Sequence, residues 1–344
     1  MTAPSGQQRA QVLLVVGPGR SGTSAVAGSL AHCGYHVPNA IKAHASNPRG
    51  FYEPRWLVDF DKQLLAEAKV TTLDRDPLAL EAMAQAFASG EAKARLVAWV
   101  REQLETNDRL VLKDPRLVWF HALWTEMAEE LDFDLGFLIM LRHPSEVSSS
   151  RSAYYGAEHV RAVAGWTHVA LMAEQVTRGA RRAFVHYPDL VGDWRTEFRR
   201  VDRLLGLDLT PPIDTTPHPI DEFLDPALRR MAPGWDGLAV PSWLSGLADR
   251  SFDALKGIAD DGEPADYDTL DALRAEYAET FEATVVIGRS RNAHRHLVRA
   301  ADGAEGAEAA DGSTGGASET VVAPPTSPPA PPARRGLRDL LRRG

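Results

Sequence analysis

Apolar and polar positions fall into blocks that predict strands and helices in alternation. Val12 to Val16 is a short, β-branched-rich run that stops at Gly17, the pattern of a strand buried on both faces of a parallel sheet. Thr23 to Cys33 then has helical composition and ends before Gly34. Residues 56–70 and 78–105 carry helical periodicity, with Leu57, Phe60, Leu64 and Leu65 on one side. Arg109 to Lys113 predicts a second strand, broken by Pro115. Leu135 to Leu141 predicts the strongest strand and runs into Arg142-His143-Pro144. Arg161 to Arg178 predicts a helix, Ala183 to Tyr187 a further buried strand ending at Pro188, and Glu197 to Leu205 another helix. Helix and loop dominate residues 220–297. Strands alternating with helices predict an α/β fold, a mostly parallel sheet flanked by helices.

Composition refines this layout. Residues 1–10 are polar and predict a disordered lead, and residues 11–297 suit one large α/β domain. Residues 298–333 predict a disordered acidic and Pro-rich linker, because they hold too little large apolar surface to offset ordering. The end, residues 334–344, sets Leu337, Leu340 and Leu341 among five arginines. It predicts weak peripheral contact with an anionic bilayer, or else an end that binds nothing or folds back on the linker.

A net charge of −9 offers no global attraction to nucleic acid, so an anionic ligand needs a local positive site. Cys33 is the only cysteine, the N-terminus lacks a signal-peptide pattern, and no apolar run approaches a membrane span. These features set a cytoplasmic expectation.

The chemistry concentrates in two segments. Gly17-Pro-Gly-Arg-Ser-Gly-Thr-Ser24 leaves a buried strand and opens a helix. Its glycines let successive N–H groups face inward, the helix start adds partial positive charge, and Ser21, Thr23 and Ser24 add hydroxyl donors. Gly17, Gly22 and Ser24 match the spacing of a P-loop, but Thr23 stands at the lysine position and the cation, Arg20, lies inside the loop. Nucleoside triphosphate hydrolysis is thereby disfavoured. The bland alternative is a glycine turn without a ligand. In the second segment, Arg142 leaves a strand at its carboxyl end and Ser150 follows eight residues later on a helix that Pro144 opens. The two can pinch a phosphate, or can serve as a structural salt bridge and an ordinary helix start.

Together these segments resemble the sulfotransferases that use 3′-phosphoadenosine 5′-phosphosulfate (PAPS). In that family a PxRSGTS-like loop holds the 5′-phosphosulfate, and an arginine with a serine eight residues on holds the 3′-phosphate. Tyr187-Pro-Asp-Leu190, Asn47-Pro-Arg-Gly-Phe-Tyr-Glu53, Lys113-Asp-Pro-Arg116 and Phe223-Leu-Asp-Pro-Ala-Leu-Arg229 resemble a bacterial, actinobacterial-type branch. The resemblance implies a P-loop nucleotide-kinase-like sulfotransferase fold. It implies donor binding by Gly19, Arg20, Ser21, Gly22, Thr23, Ser24, Arg142 and Ser150, with Arg20 and Lys113 acting on the transferring group. It also implies a glutamate base after the first helix. Glu53, flanked by aromatic residues, suits that role, with His44 and Asp59 as alternatives. The alternative is that Lys113 pairs with Asp114.

Sulfuryl transfer needs positioning, cations and a base, and no metal. No spacing of His, Cys, Asp or Glu suggests one, and His143 and His186 read as structural histidines. Arg49 could meet an anionic acceptor or be solvated, and Tyr154, Tyr155 and Trp166 could line an acceptor cleft or be core. The acceptor class the resemblance implies is a hydroxyl on a glycan, glycolipid or small metabolite. Two rival readings remain: a kinase-like phosphotransferase, and an inactive module that binds PAPS or its product PAP.

Overall fold

The computed structural model describes residues 9–44, 47–225 and 231–287. The expected linker and basic end lie outside the described residues, as does most of the expected lead.

Among the described residues four strands form one parallel sheet: β1 (Gln11–Val16), β2 (Arg109–Lys113), β3 (Asp134–Leu141) and β4 (Arg182–His186), in the order β2-β1-β3-β4. Every residue of β1 is buried, which explains its unbroken apolar run. The alternation is hidden in which face each residue serves. Val12, Leu14 and Val16 join one core layer, whereas Leu13 and Val15 join the other. In register, Val15 sits opposite Lys113 on β2 and Val16 opposite Ile139 on β3. All strands being parallel, their carboxyl ends share one edge. The Gly17 loop, Asp114 and Arg142 therefore emerge side by side.

Helices cover both faces. On the first face, the core of α2 (Arg55–Ala68), α4 (Glu91–Leu104), α5 (His121–Leu131), α7 (His159–Val176) and α11 (Ser242–Asp261) packs with β1 to β4. On the second, α1 (Thr23–His32) and α9 (Trp194–Leu205) cover Leu13, Val111, Leu138 and Val185. The remaining helices are α3 (Ala79–Ala86), α6 (Pro144–Tyr155), α8 (Tyr187–Gly192), α10 (Pro219–Phe223) and α12 (268–287), with a 3₁₀ turn at Leu117–Phe120. Among the described residues no helix is long and apolar enough to cross a membrane.

Two expectations are corrected. The helix expected over 78–105 is two, because Phe87 closes α3 on Met83 O and Ala84 O, and Gly90 takes φ 73 to start α4. A glycine in that left-handed region ends a helix more readily than it continues one. The strand expected to reach Tyr187 stops at His186. Tyr187 already opens α8, whose first turn accepts Pro188 because its missing N–H would have no partner there. Trp166, a candidate for the acceptor cleft, is fully buried core.

Candidate functional site

The loop after β1 depends on two glycines. Gly17 has φ 117, and a Cβ there would lie 2.7 Å from the Met140 carbonyl oxygen. Gly22 has φ 96, and its Cβ would lie 2.3 Å from the Tyr187 ring. No other residue lets the loop pass this close to β3 and α8. Between them Arg20 adopts φ 81 without being glycine. The first turn of α1 then has neither a side-chain cap nor an acidic residue; the Ala25 N–H donates to the Gly22 carbonyl at 2.9 Å, and the Thr23 and Ser24 N–H groups and the positive end face no side-chain acceptor.

Beside this loop lies a cavity of about 520 Å³, within the range that holds a nucleotide-sized ligand. Gly19, Arg20, Gly22, Thr23 and Ser24 line it, and so do Glu53, Lys113, Arg142 and Ser150. Ser21 is the exception. Its side chain is fully buried off the cavity wall and its Oγ has no hydrogen-bond partner. The left-handed residues on either side, Arg20 and Gly22, turn it inward. Its hydroxyl is not one of the wall's donors.

Lys113 emerges at the end of β2 and its ammonium contacts the Glu53 carboxylate, with side chains only 5% and 15% exposed. Tyr52, held at φ 54, precedes Glu53. A cation thus joins the aromatic neighbours expected around this carboxylate. The alternative pairing of Lys113 with Asp114 is not formed. Asp114 instead receives the Arg116 guanidinium at 2.7 and 2.8 Å and the Arg116 N–H at 2.8 Å. Burial pushes the Asp114 carboxyl up to about 6, with Arg116 opposing the rise and Glu53 adding to it. Below it in α2, Asp61 is 1% exposed and both its carboxyl oxygens lack partners. Burial first, then Asp114, hold Asp61 well above the usual carboxylate range.

Arg142 is buried at the end of β3. It donates weakly to Glu146 and to the Arg20 carbonyl, both at 3.4 Å, lies 5.0 Å from the Tyr187 ring centroid, and keeps a partnerless Nε. Ser150, in the second turn of α6, accepts a 3.0 Å bond from Arg20 Nε. The Arg20 side chain therefore leaves the loop for the Arg142–Ser150 corner. Tyr154 covers its guanidinium at 4.5 Å. The start of α6 is fixed by His143, whose Nδ1 accepts from the Ser145 N–H at 3.3 Å and whose Nε2 meets Asp249 at 3.2 Å. These contacts require a neutral ring protonated on Nε2, and burial pushes its pKa down. His143 is structural, as expected. His186 bonds Asp189 at 2.9 Å.

Of the other candidates, His44 and Asp59 are exposed and do not line the cavity. Arg49 does line it, donating to the Glu222 carbonyl at 2.8 Å. Tyr154 and Tyr155 are on the wall as well. Residues 226–230 of the Phe223 stretch lie outside the described residues. One wall arginine, Arg151, had no signal in the sequence, and two further wall residues appear there only as ends of resembling segments: Arg116, and Asn47, whose Nδ2 holds Ser24 Oγ at 2.9 Å. Among the described residues no group of His, Cys, Asp and Glu could hold a metal ion.

No family model and no curated protein matches the chain. Among solved structures the chain is similar to a sulfotransferase domain from the Synechococcus PCC 7002 olefin synthase, at 18% identity and TM-score 0.38, covering 82% of this chain and 98% of that one. It is also similar to a sulfotransferase domain from the curacin biosynthetic pathway, at 14% identity and TM-score 0.36, covering 80% and 99%. The case for function therefore rests on the residues of the site.

Proposed function

We propose that the chain is a sulfotransferase that moves the sulfuryl group of PAPS to an acceptor hydroxyl. One observation carries the reading: the phosphate loop, Lys113 and the Arg142–Ser150 pair line a single cavity although they come from three separate segments of chain. The parallel order β2-β1-β3-β4, with the loop after its central β1, also suits a nucleotide-kinase-like sulfotransferase fold. The loop and the start of α1 would hold the 5′-phosphosulfate, and Arg142 with Ser150 the 3′-phosphate.

In the reaction the acceptor oxygen forms a bond to sulfur while the bond from sulfur to the bridging oxygen breaks. The acceptor proton goes to Glu53, and PAP leaves with the bridging oxygen. Lys113 stabilises the charge developing on that oxygen. Its contact with Glu53 keeps both groups within reach of one point in the cavity, as a base and an acid acting on opposite ends of one transfer must be. A lysine and a helix start supply the positive field, so the step needs no metal. The acceptor is a hydroxyl compound of the glycan, glycolipid or small-metabolite type. A cytoplasmic location belongs to the same proposal and rests on the lone Cys33.

The test is nucleotide preference. A desolvated phosphate clamp contributes a few kcal/mol, so PAP should bind on the order of 100-fold tighter than ADP in calorimetry. Arg142→Ala should erase most of that preference while the melting transition remains cooperative. Equal affinities of the wild type for PAP and ADP would remove the PAPS reading. Labelled PAPS with fractionated hydroxyl acceptors then reads turnover.

A further inference from the structure

Positive charge in the cavity exceeds what the described residues balance. Lys113 has Glu53, Arg116 has Asp114, Arg142 has Glu146, and Arg49 lies 3.9 Å from Asp225. Arg20 and Arg151 have no ion pair among the described residues. Arg151 follows Ser150 on α6, and its guanidinium reaches over the phosphate loop, where a Cβ on Gly19 would meet Nη1 at 3.9 Å. Its Nε is buried without a hydrogen-bond partner. Its one close ring is Tyr155, 5.8 Å away, which also lies 6.0 Å from Arg20. Burial works against its protonated form, Tyr155 opposes that effect, and the neighbouring Arg20 charge adds to it. A half-buried arginine beside a second arginine, with an unused donor and no counter-charge, is unfavourable unless an anion completes it.

Resting on the donor reading above, we propose that Arg151 is a specificity-determining residue of this site: with Arg142 and Ser150 it binds the 3′-phosphate dianion of the nucleotide. The placement favours that group over the 5′ end. The Tyr155 ring lies beside both Arg151 and Arg20, and Arg20 is itself bonded to Ser150 Oγ through its side chain and to Arg142 through its carbonyl. A dianion at this corner would meet the Ser150 hydroxyl and guanidinium groups from two elements, the end of β3 and α6. Planar guanidinium forks match phosphate oxygens well. A monoanionic or uncharged 3′ position would leave the arginine pair uncompensated. The corner would therefore discriminate against nucleotides that carry only a 5′-diphosphate.

The experiment measures Kd for PAP and for ADP with wild type, Arg151→Gln and Arg151→Lys, and melts each protein with and without saturating PAP. The ratio of ADP to PAP dissociation constants should fall at least about 10-fold in Arg151→Gln, and Arg151→Lys should restore part of it. Without nucleotide, Arg151→Gln should melt no lower than wild type, because it removes a repulsive charge, yet PAP should raise its melting temperature less. An unchanged ratio overturns the proposal. So does an equal loss for PAP and ADP, which would assign Arg151 to the 5′ end, and so does a lower ligand-free melting temperature with normal PAP affinity, which would make its role structural. A wild type that shows no preference for PAP instead overturns the donor reading itself. The two failures are therefore distinguishable.

Discussion

Replacing Glu53 by Gln removes the carboxylate from a Lys113 side chain that is only 5% exposed, and replacing Lys113 by Met strands the carboxylate in turn. Two unit charges about 4 Å apart attract by roughly 4 kcal/mol at an effective dielectric near 20, and their desolvation offsets part of that. Glu53 retains 15% exposure on the cavity wall, so water softens both terms. A net coupling of about 2 kcal/mol follows. Urea unfolding of wild type, Glu53→Gln, Lys113→Met and the double variant measures it directly. Each single variant should lose about 2–3 kcal/mol, and the double variant should lose about 2 kcal/mol less than their sum. Losses that add within about 0.5 kcal/mol would refute the buried-pair argument. The same proteins read the chemistry. Glu53→Gln frees the Lys113 charge for the donor, so PAP should bind as tightly as in wild type or up to about 10-fold tighter, while turnover falls by roughly 100-fold or more. Near-normal turnover would remove Glu53 as the base, and exposed His44 and Asp59 would be the remaining candidates.

The other expectations concern stability. Burial pushes the pKa values of His121, His143 and His168 down, so the folded chain holds fewer protons than the unfolded chain below pH about 6.5. Their contribution is full above that pH and is lost as the pH falls through the depressed folded values. Asp61 and Asp114 act with the opposite sign. Their raised values make a contribution that is full below the ordinary aspartate pKa and is lost as the pH rises through the folded values, about 6 for Asp114. Asp61→Asn removes one of these titrations, so its stability relative to wild type should increase from pH 4.5 to pH 8 in urea unfolding. A difference independent of pH would show that Asp61 does not titrate differently on folding. Gly22→Ala sets a Cβ 2.3 Å from the Tyr187 ring at φ 96, and should cost about 2 kcal/mol or more in thermal unfolding. Melting within a degree of wild type would mean that Tyr187 moves aside freely.

Strands and loop were legible because their signals are local. A run such as Val12 to Val16 admits few structures besides a buried strand, and Gly17 and Gly22 mark where the backbone must reverse. The break inside 78–105 was harder to see, since Ala88 and Ser89 fit a helix and only Gly90 objects. The contact between Lys113 and Glu53 spans 60 residues and joins the end of β2 to the loop before α2, a placement no local pattern encodes. Ser21 reads as a phosphate donor by composition, and only the two left-handed residues around it turn it away. Asp61 did leave a signal. It occupies the apolar stripe of α2 with Leu57, Phe60, Leu64 and Leu65, so its burial could be read from helical spacing alone.

Under the proposed function, the position of the cations explains how a loop without a lysine would serve an anion. A P-loop lysine sits at the helix start, where Thr23 stands here. In this fold the charge comes from the strands on either side of β1. Lys113 ends β2 opposite Val15, and Arg142 follows the last residue of β3, which pairs with β1 up to Ile139 opposite Val16. Each neighbour of the central strand thus delivers one cation at its carboxyl end, one on each flank of the loop. Strand ends locked in a parallel ladder hold such groups more firmly than a loop can. The loop's own Arg20 is then released from the transferring end and turns to Ser150. Its left-handed backbone, strained for any residue but glycine, is the local cost of that turn. Divided in this way, Lys113 sits beside the Glu53 carboxylate while Arg20 and Arg142 meet near Ser150. Two separated anionic groups on one ligand would satisfy both ends, and a single phosphate would leave one of them uncompensated.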